Sequence, residues 1–235
     1  MSMINFNDSN LFTPVTHPES GVTIHVLTRR IAPVQQGFYF VNDSMSADGR
    51  YLWFYCAFPP ALHRTLAVID FVDQTVRHFP ETNASGAYVD PDSGNVFWSE
   101  GASVWRRGPR EEDGPVHVNQ LPPETVRGRR VAGLATHLTR SADGKAFFID
   151  ATVGLGRIFG SLPLDGGPFQ QWWRFDRLHN HAQFSPTDPD TALFAQEFHT
   201  DIITGLRFPI TNRLWLITRG ESPRPVLREP RFVSH

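Results

Sequence analysis

The sequence predicts an all-β chain of repeated four-stranded units. Three observations carry this: a turn signature recurs at a near-constant interval, short strands end in Asp-Gly or Pro-Asp turns, and helical periodicity is nearly absent. The signature reads SADGRYLWF around Asp48, DPDSGNVFW around Asp92, SADGKAFFI around Asp143 and SPTDPDTALF around Asp188, at spacings of 44, 51 and 45 residues. Each polar turn leads into an apolar or aromatic strand. Periods of about 40 to 50 residues with several strands per unit define β-propellers, in which no blade buries both faces alone and its neighbours complete the core. At roughly 45 residues per blade, the 235 residues supply about five units of a single domain.

In chain order, GVTIHVLT and GFYFVND read as an early outer strand and the first inner strand. The first signature turn follows, and TLAVIDFVDQTVRHF then carries a strand into another turn. The stretch at 108–130, GPREEDGPVHVNQLPPETVRGRR, is a polar excursion expected to hold a blade connection and a loop with solvated charges. The last residues, EPRFVSH, read as the opening of a further blade, so an incomplete propeller is expected.

Composition bounds the function. A net charge of −2 provides no basic stripe for a phosphate backbone, which speaks against nucleic acid as a partner. The amino terminus has no basic region followed by an apolar stretch, and no apolar run approaches the roughly 20 residues of a membrane span, so a cytoplasmic location without membrane attachment is expected. Cys56 is the single cysteine and sits in YLWFYCAF; it reads as a buried thiol and excludes an internal disulfide.

Alignment of the turns puts His137 four residues before Ser141 and His181 four residues before Ser185. The same blade position thus carries histidine twice, and EPRFVSH puts His235 at the corresponding place in the next unit. The strand before such a turn is innermost in a propeller, so these imidazoles are expected to face one channel. Convergent imidazoles suit a divalent metal or a proton transfer. A lone strand histidine is as a rule a hydrogen-bonded structural residue, and repetition is what sets this pair apart. His63, His78, His117, His179 and His199 show no such pattern and read as surface or packing residues.

HNHAQFSPTDPDTALFAQE resembles a known family, the oligogalacturonate lyases of the pectate lyase 22 type. The match centres on His181, Gln183, Phe184, Ser185, Pro186, Thr187, Asp188 and Pro189. NRLWLITRGES, around Arg213 and Trp215, is similar to that family's next strand pair, and FVSH to the start of its metal-binding blade. FTPVTHPESGVTIHVLT and GFYFVNDSMSADGRYLWF are similar to its opening blade.

The resemblance implies part of a seven-bladed propeller that cleaves short pectic oligomers by β-elimination, with a manganese-type divalent ion in the channel. It makes an acidic oligosaccharide the expected small-molecule partner. The C5 proton of a uronate is hard to remove because the adjacent carboxylate must accept more negative charge, and a metal or cationic side chain relieves that. His181 is the expected general base, and Arg157, placed by its distance before the histidine motif, the expected active-site arginine. His137 and Gln183 are assigned to substrate contact and His235 to the metal. Gln35 and Gln36 stand where the family's opening blade has paired histidines, and Gln196 where histidine is usual. These departures leave the uronate specificity open. A non-catalytic propeller that binds a glycan or protein, and a metal-dependent hydrolase, stay open beside the lyase.

Overall fold

The computed structural model describes residues 9–210 and 212–227. Strands β1 (Phe12–Thr16) and β2 (Thr23–Leu27) pair as an antiparallel hairpin. The first four-stranded sheet runs in sequence order through β3 (Val34–Gln36), β4 (Tyr51–Ala57), β5 (Arg64–Asp70) and β6 (Thr75–Phe79). The second holds β7 (Ser85–Val89), β8 (Val96–Glu100), β9 (Ser103–Arg107) and β10 (Val116–Gln120), and a single helical turn, α1 (Pro123–Val126), follows it. The third contains β11 (Val131–Gly133), β12 (Ala146–Val153), β13 (Gly156–Pro163) and β14 (Gln170–Phe175). The fourth begins with β15 (His179–Phe184) and β16 (Thr191–Gln196). A small hairpin of β17 (His199–Thr200) and β18 (Arg207–Phe208) intervenes before that sheet is completed by β19 (Leu214–Thr218) and β20 (Arg224–Pro225). Four consecutive four-stranded sheets, each meandering in sequence order, are the blades of a β-propeller fold.

The recurrent turn has one physical cause. The residue that opens it sends its N–H to the carbonyl of a residue at or just before the start of the next strand: Ser46 to Tyr51, Asp90 to Asn95, Ser141 to Ala146 and Ser185 to Thr191, at 2.8–3.0 Å. In the first and third turns the aspartate carboxylate accepts the serine hydroxyl, Ser46 on Asp48 at 2.6 Å and Ser141 on Asp143 at 2.7 Å. Those bonds hold both aspartates below the usual carboxylate pKa, and a bond from the Asp190 N–H does the same for Asp188. An aspartate in a Gly-containing turn is thus a structural element, and the sequence repeat is a repeat of hydrogen bonding.

Two expectations are refined. The first inner strand is Val34–Gln36, just before GFYFVND, because the Phe38 N–H bonds to the Ser44 hydroxyl and Asn42 closes a turn on Tyr39. The polar excursion at 108–130 contributes a strand, β10, as well as a connection.

The described residues group into two compact units, one within 9–97 and 106–116 and the other within 98–105, 117–210 and 212–227. In the first, Phe54, Cys56, Ala67, Ile69 and Phe71 form a core. Burial pushes the Cys56 thiol up to about 11, so it packs as an apolar group and stays protonated. In the second, Phe148 sits at the centre of edge-to-face contacts with Phe159, Trp172 and Phe184, at centroid separations of 5.1–5.8 Å. Among the described residues no helix is long and apolar enough to cross a membrane.

Candidate functional site

All groups of the candidate site belong to the second unit. Antiparallel pairing brings the end of β12, the start of β13, the end of β14, the start of β15 and the end of β16 to the same end of their sheets. At that end the inner segments are irregular. Residues 134–139, between β11 and β12, leave the strand conformation, and β15 carries a bulge between Asn180 and Gln183 with His181 at φ +53°. The first irregular segment holds His137 and the second holds His181, and their rings meet at 6.0 Å between centroids, tilted by 37°. The repeated histidines therefore converge, although His137 lies on a non-strand segment and not on a regular inner strand.

Asp150 on β12 organises the pair. Its Oδ1 accepts the Thr136 N–H at 2.6 Å; its Oδ2 accepts the Thr136 hydroxyl at 2.7 Å and the Ala182 N–H at 3.3 Å. The Thr136 hydroxyl in turn accepts the His181 N–H at 3.3 Å. Burial raises the Asp150 carboxyl to about 6, against the lowering effect of these hydrogen bonds. Burial, and next the charge of His181, brings His137 down to about 4, so it is neutral near pH 7.

Around His181 the fourth sheet adds a charged pair. Glu197 Oε1 lies 3.8 Å from His181 Nε2 and 2.5 Å from Arg213 Nη1, and Arg213 also donates to the Gln196 carbonyl at 2.9 Å. Arg157 stands at the start of β13, opposite Thr152 and Phe175. Burial lowers its pKa while the charge of Asp150 raises it. Its Nε is buried without a hydrogen-bond partner among the described residues, and Nη1 reaches the Gly156 carbonyl at 3.3 Å. His179 packs as expected: its ring stacks on Phe175 at 4.0 Å, Nδ1–H donates to the Arg177 carbonyl at 3.1 Å, and burial lowers it to about 4.

Of the residues singled out in the sequence, His137 and His181 meet directly, whereas Arg157 is related to them only by the charge of Asp150 that acts on it. Gln183 is half-buried on β15 opposite Leu193. His235 lies outside the described residues. Gln35 closes a turn, its Oε1 accepting the Ile31 N–H at 2.7 Å. Asp150, Thr136, Glu197 and Arg213 join the site without having been singled out as site residues. The signal for Asp150 was a lone acid inside the apolar run FFIDATV.

Among the described residues no group of three or more His, Cys, Asp or Glu side chains is arranged to hold a metal ion. His137 and His181 supply two imidazoles, and the Asp150 oxygens already serve three donors. The described residues alone do not fit a divalent ion.

The fold and site define a β-propeller with a histidine pair and an arginine at one end of adjoining blades. The structure is similar to that of an oligogalacturonate lyase from Vibrio parahaemolyticus, with a TM-score of 0.72 at 14% identity over 93% of this chain and 59% of that one. It is also similar to an oligogalacturonate lyase in complex with manganese, with a TM-score of 0.68 at 18% identity over 92% of this chain and 59% of that one. The β-propeller domain of the trilobed protease from Pyrococcus furiosus matches with a TM-score of 0.50 at 11% identity, over 77% of this chain and 55% of that domain's chain. The chain spans about three fifths of the length of the two lyases. No protein-family model and no curated protein sequence matches it.

Proposed function

We propose that this chain is a polysaccharide lyase that cleaves short acidic oligosaccharides of the oligogalacturonide kind by β-elimination. The observation that carries the reading is the meeting of His137 and His181 at 6.0 Å; Asp150 links their two segments, and its charge acts on Arg157, whose buried Nε has no partner among the described residues. An arginine with unused donors suits a planar carboxylate, which it can hold by two parallel hydrogen bonds. The likeness to two oligogalacturonate lyases supports the same substrate class.

In this scheme Arg157 binds the uronate carboxylate and takes up the charge that develops there as the C5 proton leaves. His181 accepts that proton, and the bond from C4 to the glycosidic oxygen breaks, giving a double bond between C4 and C5. Glu197, 3.8 Å from His181 Nε2, stabilises the imidazolium once it forms, and Arg213 holds Glu197 in place. His137, expected from the sequence to touch substrate, is 1% exposed and neutral near pH 7, so it packs against His181 without adding a positive charge that would oppose protonation of that base. Gln183 is the further substrate contact. A divalent ion, manganese as in one of the similar lyases, stays part of the proposal as a requirement for full activity, with His235 as an expected ligand.

The test is incubation with digalacturonate and trigalacturonate, with manganese or with a chelator, followed by ultraviolet absorbance and mass analysis. A 4,5-unsaturated product is expected. Saturated fragments would instead identify a hydrolase, and binding without cleavage a non-catalytic propeller. His181→Ala is expected to lower turnover by about 10²- to 10⁴-fold, and a loss below about tenfold in a folded variant removes it as the base. Arg157→Lys is expected to lower kcat/KM by roughly tenfold or more, because lysine does not reproduce a bidentate carboxylate contact. Unchanged kinetics would take Arg157 out of the site.

A further inference from the structure

We propose that Asp150 is the positioning residue of the histidine pair: one buried carboxylate ties down both the segment that carries His137 and the left-handed bulge that carries His181. The proposal rests on the reading of His181 as proton acceptor, and it goes beyond that reading in saying what holds the base in its reactive orientation.

The geometry is specific. Asp150 is 5% exposed, and its three hydrogen bonds come from Thr136, which precedes His137, and from Ala182, which follows His181. The Thr136 hydroxyl passes the link on to the His181 N–H. The carboxylate accepts from the backbone N–H groups of Thr136 and Ala182 and from the Thr136 hydroxyl, so Asp150 holds the two segments on which the imidazoles sit. Its charge acts on Arg157 of β13, and His137 and His181 lie on the two irregular segments that it bonds.

A carboxylate is a costly way to close a bend, since burial opposes its charge. Elsewhere in this chain a serine hydroxyl does similar work, as Ser141 does for the N–H groups of Lys145 and Ala146. What differs here is the strain. His181 at φ +53° occupies a region that non-glycine residues seldom enter, and such a conformation persists only where the surroundings over-determine it. The Asp150–Thr136 network supplies that constraint on both sides of the strained residue. With it in place the imidazole is oriented before substrate arrives, which is the geometric requirement of efficient proton transfer.

The test compares Asp150→Asn, Thr136→Val and Thr136→Ser with the parent chain. Readouts are imidazole nitrogen and proton spectra across a pH titration, thermal unfolding, and kinetics on trigalacturonate. Asp150→Asn puts a donor where donors converge, Thr136→Val removes only the hydroxyl, and Thr136→Ser restores it. Asp150→Asn and Thr136→Val are expected to move the His181 resonances and titration midpoint, and to lower kcat by roughly ten- to a hundredfold at little change in KM. Thr136→Ser is expected to recover both. An unchanged His181 spectrum in the folded Thr136→Val variant would overturn the proposal, as would equal losses for valine and serine. Should Asp150→Asn fail to fold, the threonine pair decides alone. Should the parent chain lack lyase activity, the functional reading falls, while the His181 spectra still decide the role of Asp150.

Discussion

Burial sets the charge of His137 and His179, and this has a measurable consequence for stability. Both imidazoles ionise near 6.5 in an unfolded chain and near 4 when folded, so between these values the unfolded state binds up to two more protons. Asp150 acts in the opposite sense: it ionises near 4 unfolded and about 6 folded, so the folded state binds the extra proton there. One proton remains in favour of the unfolded state, and His78, lowered by burial, adds in the same direction. Stability is therefore expected to fall as pH drops from about 6.5 to about 4.5, by roughly 1.4 kcal/mol per pH unit for each net proton. Urea unfolding at several pH values measures this. Asp150→Asn is expected to steepen the slope toward two protons, and an unchanged slope would contradict the assigned direction for Asp150. At this scale the repeated histidines were legible because the turns that frame them are closed by the same bond, Ser141 to Ala146 and Ser185 to Thr191. Asp150, Glu197 and Arg213 were not, because Asp150 comes from β12 while Glu197 lies just after β16 and Arg213 just before β19, and they reach the site only through cross-strand register.

Strands β13 and β14 approach closely where their register shifts, between Phe159 and Gly160. A Cβ on Gly160 would collide with the Gln170 carbonyl and the Phe169 ring, whereas one on Gly133 of β11 would meet nothing within 4 Å. Gly160→Ala is thus expected to destabilise by about 2 kcal/mol or more, because the clash is with backbone and β13 is buried at its centre. Gly133→Ala is expected to stay within about 1 kcal/mol of the parent. Chemical denaturation of the two variants makes the comparison, and equal stabilities would mean that β14 yields. The bulge that Gly160 permits carries β14 toward Phe175, which packs on both Phe159 and His179 and thereby anchors the start of β15. Strand existence was readable from apolar or aromatic runs that follow polar turns. The breaks at 134–139 and 180–183 were not, since HNHAQF carries no glycine or proline to mark a bulge.

Over the chain as a whole the net charge of −2 hides an uneven distribution within the second unit. At the end that holds the histidine pair, the strand termini and their connections carry Arg129, Arg130, Arg157, Arg174, Arg177, Arg207 and Arg213, which outnumber Asp176, Glu197 and Asp201. The turns at the opposite end carry Asp143, Asp165, Asp188 and Asp190, which outnumber Arg140, Lys145 and Arg219. Two of the site-end arginines are held over aromatic rings, Arg177 over Phe208 and Arg207 over Phe198, so the hairpin β17–β18 presents cations beside the site. A chain that is acidic overall but cationic at one end attracts an anionic substrate locally. The screening length shrinks from roughly 20 Å at 20 mM salt to roughly 6 Å at 300 mM. On the proposed function, kcat/KM for trigalacturonate is therefore expected to fall several-fold over that range, mainly through KM, while kcat holds because Arg157 contacts the carboxylate directly. Arg207→Ala is expected to flatten the dependence and leave kcat in place. If kcat/KM instead stays constant with salt, binding is governed by direct contacts alone and the cationic end has no part in substrate capture.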